Sequence, residues 1–364
     1  MRCRGCGRTG LYRVLDLGFV PAADHFPPAD APVAAEEASH PLAMDLCQAC
    51  GLAQLADDDT VTAEPRGIEP RALRDQARDA VSRVAAAGWL RGETVREFGS
   101  PHGGTWLPLL EQCDVTPRHE VADIVLDCFG IMHEPDQRAA FARRAAATAP
   151  DGVLLLQYHS LGAIVAGGQW NALRHGHFAY YSMPAVTRLL GDAGMKPVTA
   201  WTFELYGGTT LVAAVHEDSA HQAESVIEHM CVAEAGLTDA ATVASLQAAA
   251  DGQVAALRAH LEARRGRRVY AYGAASRAVA LFARSGLHSG LLAAVADASP
   301  AKQGRRMPGT DIPIVSPAAL VAAEPDEVVL TLPDLLPEVS AAHPQLSGRW
   351  VTDDWITEQV DAGN

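Results

Sequence analysis

At 364 residues and 48% hydrophobic content, the chain is too long for one ordinary core, so two or three domains are expected. A net charge of −15 opposes binding to nucleic acid and to anionic lipid, because both would repel it. The start, MRCRGCGRTG, lacks the apolar stretch of a secretion signal. No window approaches the roughly eighteen uninterrupted apolar residues of a membrane span, so a cytoplasmic protein is expected.

The first unit, residues 1–58, carries Cys3-x-x-Cys6 and Cys47-x-x-Cys50. Each CxxC turn aims two thiolates at one point, and Gly7 and Gly51 permit the tight backbone behind them. The intervening segment has too little apolar material to hold so small a fold without a staple. Four cysteines spent on one metal close its coordination, so the expectation is a structural Zn²⁺ on Cys3, Cys6, Cys47 and Cys50. Cys113, Cys128 and Cys231 are expected as free thiols.

The second unit spans residues 59–218. A helix over Ala72 to about Ala87 ends near Gly88, and VREFG then reads as a strand followed by a glycine-rich turn. Glu97, Gly99 and Gly103 form an ExGxxxG pattern that lets backbone approach a nucleoside or an amino-acid tail. A short helix starts at Trp106 and stops at CDVTPRHE. Ile124–Leu126 and Val153–Leu156 are continuous apolar runs, the signature of strands buried on both faces of a parallel sheet. Polar residues gather beyond them: His133 after the first, His175 and His177 after the second. Ligand sites of open α/β sheets lie past the carboxyl ends of strands, which makes these three histidines the expected chemical centre. Helices over Gln137–Thr148 and Met183–Ala193, and a hairpin turning at Tyr206-Gly207-Gly208, complete the unit.

The third unit, residues 219–364, begins with an Ala-rich connector in which Leu246, Ala250, Val254, Leu257 and Leu261 share a helical face. RRVYAYGAASRAVALFA then reads as strand, Gly273 and helix, and LLAAVADASP ends a strand at Asp297, where Rossmann-like units often hold a ribose. GAASRA lacks the full GxGxxG spacing, which counts against a dinucleotide. IPIVSP, DEVVLTLPD and RWVTDDW supply the later strands.

Over nearly its whole length the chain resembles the deoxysugar C-methyltransferases, which act on nucleotide-linked 4-keto-6-deoxyhexoses. The resemblance rests on CRGCG, LDLGFVPAADHF and HPLAMDLCQACGLAQL, then on EFGSPHGG, MHEPD, RHGHFAYYS and YGGTTL. In the third unit it rests on GAASRAVALF, DASPAKQGRRMPGTDIPIVSP and EPDEVVLTL. It implies an α/β chain with a small N-terminal zinc-binding domain, a class I methyltransferase-like (Rossmann-like) central domain and a second Rossmann-like C-terminal domain. It also implies S-adenosylmethionine at Glu97, Gly99 and Gly103, and a TDP-linked sugar between the last two domains. On that basis His177 is the base removing the proton α to the ketone, and His133 and His175 tune it or hold the carbonyl. Arg174, Tyr180 and Tyr206 are candidate substrate contacts, and Arg277, Lys302 and Arg305 are candidate phosphate partners.

The departures from the family set the functional reading. Its Tyr-His-Glu-His run is Arg174-His175-Gly176-His177 here, Phe129 replaces an Asn, and Pro101-His102 replaces Asn-Asp. From Leu110 to Val121 about ten residues stand where the family spends several tens, including the acid that holds the cofactor's ribose. The central domain is thus expected to be truncated in its cofactor segment. The expected activity is enolisation of a TDP-4-keto-6-deoxysugar by a histidine base without S-adenosylmethionine, giving an epimerase, isomerase or lyase outcome. The alternatives are a genuine S-adenosylmethionine-dependent sugar C-methyltransferase and a non-catalytic binding partner.

Overall fold

The computed structural model describes residues 1–60, 69–101, 103–110 and 115–352. The N-terminal strands are β1 (Leu11–Val20), β2 (His40–Cys47) and β3 (Ala53–Leu55). The central ones are β4 (Thr94–Phe98), β5 (Thr116–Pro117), β6 (Ala122–Cys128), β7 (Thr148–His159), β8 (Ala179–Tyr180), β9 (Met195–Phe203) and β10 (Thr209–His216). The C-terminal ones are β11 (Val269–Tyr272), β12 (Val295–Ala296), β13 (Ile314–Val315), β14 (Glu327–Leu330) and β15 (Trp350–Thr352).

They form three sheets. The first is antiparallel, in the order β1-β2-β3-β8, so the small N-terminal unit borrows its fourth strand from the middle of the chain. That loan has a consequence for the site: the segment Arg174–His177 leads straight into β8 and is tied to the N-terminal unit. Asp58 tightens the tie by accepting the Gly176 N–H at 2.8 Å.

The second sheet has the order β5-β4-β6-β7-β10-β9, with β5, β4, β6 and β7 parallel and β10 antiparallel between β7 and β9. Ile124, Val125, Leu126, Leu154, Leu155 and Leu156 are all fully buried, as continuous apolar strands between two helical layers must be. The flanking helices are Arg71–Ala86, Gln137–Ala147 and Met183–Asp192, close to their expected limits. Asp136 and Ser182 cap the last two by accepting the N–H groups of Ala139 and Ala185. The shortened segment shows itself as β5, two residues long and paired only with Thr94 and Val95 in the amino-terminal half of β4.

The third sheet is all parallel, in the order β13-β12-β11-β14-β15. The helix Ser245–Ala263 buries Leu246, Ala250, Leu257 and Leu261 on one face, as the spacing requires. In both α/β sheets the strand order reverses next to the first strand, between β4 and β6 and between β11 and β14. Such a reversal leaves a crevice at the strands' carboxyl ends. Among the described residues, no helix is long and apolar enough to cross a membrane.

Candidate active site

The two switch-point crevices open into one cavity of about 320 Å³. The central sheet contributes Ser100 and Gly103 after β4, Phe129 and His133 after β6, and His159 at the end of β7. The C-terminal sheet contributes Gly273, Ser276 and Arg277 after β11, and Asp297, Ser299 and Lys302 after β12. Gly273 has φ of +97°, and a Cβ there would meet Thr331 Oγ1 at 2.6 Å, so only glycine makes this turn.

A buried ion-pair network builds the turn that carries His133. Asp127 Oδ1 accepts the N–H groups of Gly130 and Ile131 at 2.7 and 2.9 Å. Its other oxygen accepts Arg144 Nε at 2.8 Å, and Arg144 goes on to Glu134 at 2.8 Å. Asp127 and Arg144 are 0% and 1% exposed, so this charge pair sits inside the protein with its hydrogen bonds satisfied. Phe129, at the start of the turn, is held at φ of +64°. Asn tolerates that left-handed conformation far better than a bulky aromatic does, so Phe129 carries strain there.

Two of the three expected histidines meet. The rings of His133 and His177 are edge to face with centroids 4.3 Å apart, and both line the cavity. The Gly176 carbonyl lies 2.9 Å from His133 Nδ1 and cannot donate, so Nδ1 carries a proton and donates to it. His177 Nε2 accepts Arg174 Nε–H at 2.8 Å; because Arg can only donate, Nε2 is the unprotonated nitrogen of that ring. His175 faces away. Its Nε2 lies 3.1 Å from the Pro41 carbonyl of β2, it packs against His40, and burial holds its basicity below the usual imidazole range. It therefore joins the N-terminal unit rather than the cleft.

Of the remaining candidates, Arg174, Tyr206, Arg277 and Lys302 line the cavity. Tyr206 sits at φ of +56° with the Arg277 guanidinium 5.9 Å from its ring centroid. Burial raises its phenol above the usual range, against the pull of Arg277 and Arg174. Tyr180 does not reach the cavity: it is buried in β8, donating to Ala172 O and accepting Arg174 N–H. Arg305 does not reach it either. It donates to Phe26 O at 2.7 Å and to Ala301 O at 3.0 Å.

The Arg305 bond to Phe26 O belongs to a contact with no signal in the sequence. Residues 21–38 cross from the N-terminal unit as a strap onto the C-terminal one. Arg306, 1% exposed, donates to Ala31 O, Pro32 O and both oxygens of Glu37, and Asp24 accepts Ser276 Oγ–H at 2.5 Å. His159 was also missed, although it stands at the carboxyl end of a parallel strand, the same position that singled out His133. Its ring lies 5.0 Å from Phe129 and 5.7 Å from Tyr206.

At the other end of the molecule, the sulfurs of Cys3, Cys6, Cys47 and Cys50 all lie within 4.8 Å of one another. Both knuckles repeat one pattern: Gly7 N–H donates to Cys3 O, Gly51 N–H to Cys47 O, and both glycines have φ near +75°. A tetrahedral metal with bonds of about 2.3 Å to sulfur fits this donor set, with no position left over for a substrate. Cys128 and Cys231 form no disulfide, and Cys113 and His102 lie outside the described residues.

Two segments of the chain match family models. Residues 3–64 match the family model described as "Putative zinc binding domain", and residues 204–353 match the one described as "C-methyltransferase C-terminal domain". The C-methyltransferase NovU of Streptomyces niveus is 25% identical, over 93% of this chain and 90% of NovU. Both family models and NovU thus support a likeness to the sugar C-methyltransferases with an N-terminal zinc site. Among solved structures, magnesium protoporphyrin IX methyltransferase ChlM of Synechocystis PCC 6803 is 14% identical, covering 42% of this chain and 90% of that one, with a TM-score of 0.29. Mitomycin 7-O-methyltransferase MmcR is 16% identical, covering 40% and 56%, with a TM-score of 0.30. Likenesses at that level carry no weight here.

The resemblance implies S-adenosylmethionine at the β4 turn, and the described residues do not fit it. Glu97 has both carboxylate oxygens occupied by its own loop, accepting Thr105 Oγ1–H at 2.5 Å and Trp106 N–H at 2.8 Å. β5 ends halfway along β4, so it brings no acid to the carboxyl edge where a ribose would lie. Gly99 and Gly103 leave backbone space, but the described residues assemble no ribose clamp beside them.

Proposed function

We propose that the cleft enolises a nucleotide-linked keto-deoxysugar, with a TDP-linked 4-keto-6-deoxysugar as its first candidate substrate. The observation that carries this reading is the His133–His177 pair facing the same cavity as Gly273, Arg277 and Lys302. The nucleotide end lies on the C-terminal wall, where a glycine turn, a helix start and two cations converge, and the sugar end reaches the histidines.

His177 Nε2 is the base. Arg174 Nε–H donates to its lone pair. A bound ketone offers the guanidinium a better acceptor in the oxygen that becomes an enolate, and the transfer of Arg174 frees Nε2 to take the α-proton. An imidazole works near neutral pH, and such general-base catalysis typically contributes about 10²–10⁴-fold. His133 keeps the His177 loop in place through Gly176 O. Return of a proton to the enolate gives an epimerase or isomerase outcome; loss of a neighbouring group gives a lyase. A second reading, methyl transfer to the same enolate, is favoured by the match to NovU along almost the whole chain.

The test is exchange of the substrate's α-proton with deuterated water, followed by NMR. Wash-in without S-adenosylmethionine that disappears in His177→Ala supports the enolising reading. Turnover only when S-adenosylmethionine is added favours the methyltransferase, and silence in both assays leaves a binding protein.

A further inference from the structure

The strap brings Phe26 of the N-terminal unit under a side chain of the cavity wall. The Lys302 ammonium lies 4.9 Å from the Phe26 ring centroid and donates to Ala274 O at 2.8 Å. It is 9% exposed, and it lines the cavity. Phe26 itself is 2% exposed and pinned along its backbone: its carbonyl accepts Arg305 Nη1, Pro27 O accepts Arg306 N–H at 2.9 Å, and Ala29 N–H donates to Gly304 O at 3.0 Å. Next to it, Asp24 accepts Ser276 Oγ–H at the first turn of the helix that follows Gly273.

We infer that this strap is a working part of the nucleotide site, and that Phe26 is a positioning residue which aims the Lys302 ammonium at the ligand's phosphates. The inference rests on the reading that the cleft takes a nucleotide sugar. A lysine is a flexible point charge, and two fixed partners, a ring face and one carbonyl, remove most of its freedom while leaving further N–H donors for an anion. Arg305, which does not line the cavity, acts through the Phe26 carbonyl. The N-terminal unit then shapes a pocket some 270 residues away in the sequence.

The experiment measures TDP binding by calorimetry on the full zinc-loaded chain and its variants, with melting curves as the check on folding. Lys302→Met should weaken binding by tenfold or more, as expected for loss of a charge-assisted bond. Phe26→Leu keeps an apolar side chain but loses the ring face, and should weaken binding roughly three- to thirtyfold. Phe26→Tyr, which keeps that face, should bind within twofold of the parent. The double variant Phe26→Leu/Lys302→Met should be no weaker than Lys302→Met alone. In turnover the Phe26→Leu effect should fall on KM, with kcat within twofold. If Phe26→Leu does not fold, Phe26→Met carries the same comparison.

Equal TDP affinity in the parent and Phe26→Leu, or additive losses in the double variant, would overturn the positioning role while leaving the nucleotide site standing. Unchanged binding in Lys302→Met would overturn it by removing Lys302 from the phosphates. A parent chain that binds no TDP fails at the earlier step, in the reading of the cleft itself.

Discussion

On the C-terminal wall of the cleft, polar groups are held in place by an acid of the cavity lining and by two residues behind it. Asp297 accepts Ala274 N–H and Ser299 N–H, both at 2.8 Å, and so shapes the Gly273 turn. Asp24 and Phe26 hold Ser276 and Lys302 from behind. On the β4 wall the corresponding acid, Glu97, satisfies its own loop, and the edge strand beyond it is two residues long. A preorganised site needs a supporting layer that fixes the contacting groups without consuming them. Each wall spends an acid on its own turn, Asp297 on one and Glu97 on the other; the C-terminal wall adds Asp24 and Phe26 behind the groups that face the cavity.

The largest way to break this comparison is to remove the metal. Structural zinc supplies about 10–16 kcal/mol of apparent folding free energy in small zinc domains. Chelation should therefore melt the N-terminal unit, release the strap and weaken TDP binding at the distant wall, while the central sheet keeps its cooperative transition. Metal analysis and melting with and without chelator check this. A melting curve indifferent to chelation, or well under one zinc per chain, would remove the structural metal.

Arg144→Met comes next. It strands the Asp127 carboxylate in the interior and loosens the turn that presents His133. Breaking one partner of a buried pair costs about 3–5 kcal/mol, read as a drop in the urea midpoint. Proton exchange in the substrate should fall with it. A loss under about 1 kcal/mol would mean that Asp127 is carried without its partner.

The strap can be loosened by acid. Hydrogen bonding to the Arg306 guanidinium brings the Glu37 carboxyl down from 4.5 to about 2. A lowered folded value gives stability that is fully present above about pH 4.5 and is lost as the pH falls through 2. The amount is about 3 kcal/mol at most, for a side chain 17% exposed. Glu37→Gln should flatten that acid limb in a pH series of unfolding curves. An unchanged limb would place acid sensitivity elsewhere.

Much of this molecule was legible in the chain. Leu154–Leu156 and Ile124–Leu126 announced buried parallel strands because no other local structure hides consecutive apolar residues so simply. The two CxxC pairs announced their cluster, since the spacing itself dictates the geometry. His133 and His177 followed from the rule of strand ends. What stayed hidden was whatever depends on distant partners. The strap is Pro- and Ala-rich with no periodicity, and Arg305 looked like a phosphate ligand because nothing local shows that Phe26 O takes its guanidinium. His175 and Tyr180 share a motif with His177 yet are held by partners distant in the chain or the loop, Pro41 O and Ala172 O, and Gly176, at φ of +77°, turns the backbone between the two histidines.

The smallest effect belongs to Glu97, and it bears directly on the difference between the walls. If Glu97 serves only its loop, Glu97→Gln keeps one acceptor for Trp106 N–H and turns an ionic bond to Thr105 into a neutral one. The cost is about 1 kcal/mol of stability, because charge-assisted hydrogen bonds exceed neutral ones by roughly that amount. TDP binding and α-proton exchange should stay within twofold of the parent, since neither depends on this wall. Calorimetry with S-adenosylmethionine should then give the same weak or absent heat in both proteins. A different result would reverse the comparison: micromolar binding by the parent, lost tenfold or more in Glu97→Gln, would mean that the cofactor draws Glu97 away from Thr105 and Trp106. The β4 wall would then be a site that its ligand completes, and the methyltransferase reading would take precedence over proton return.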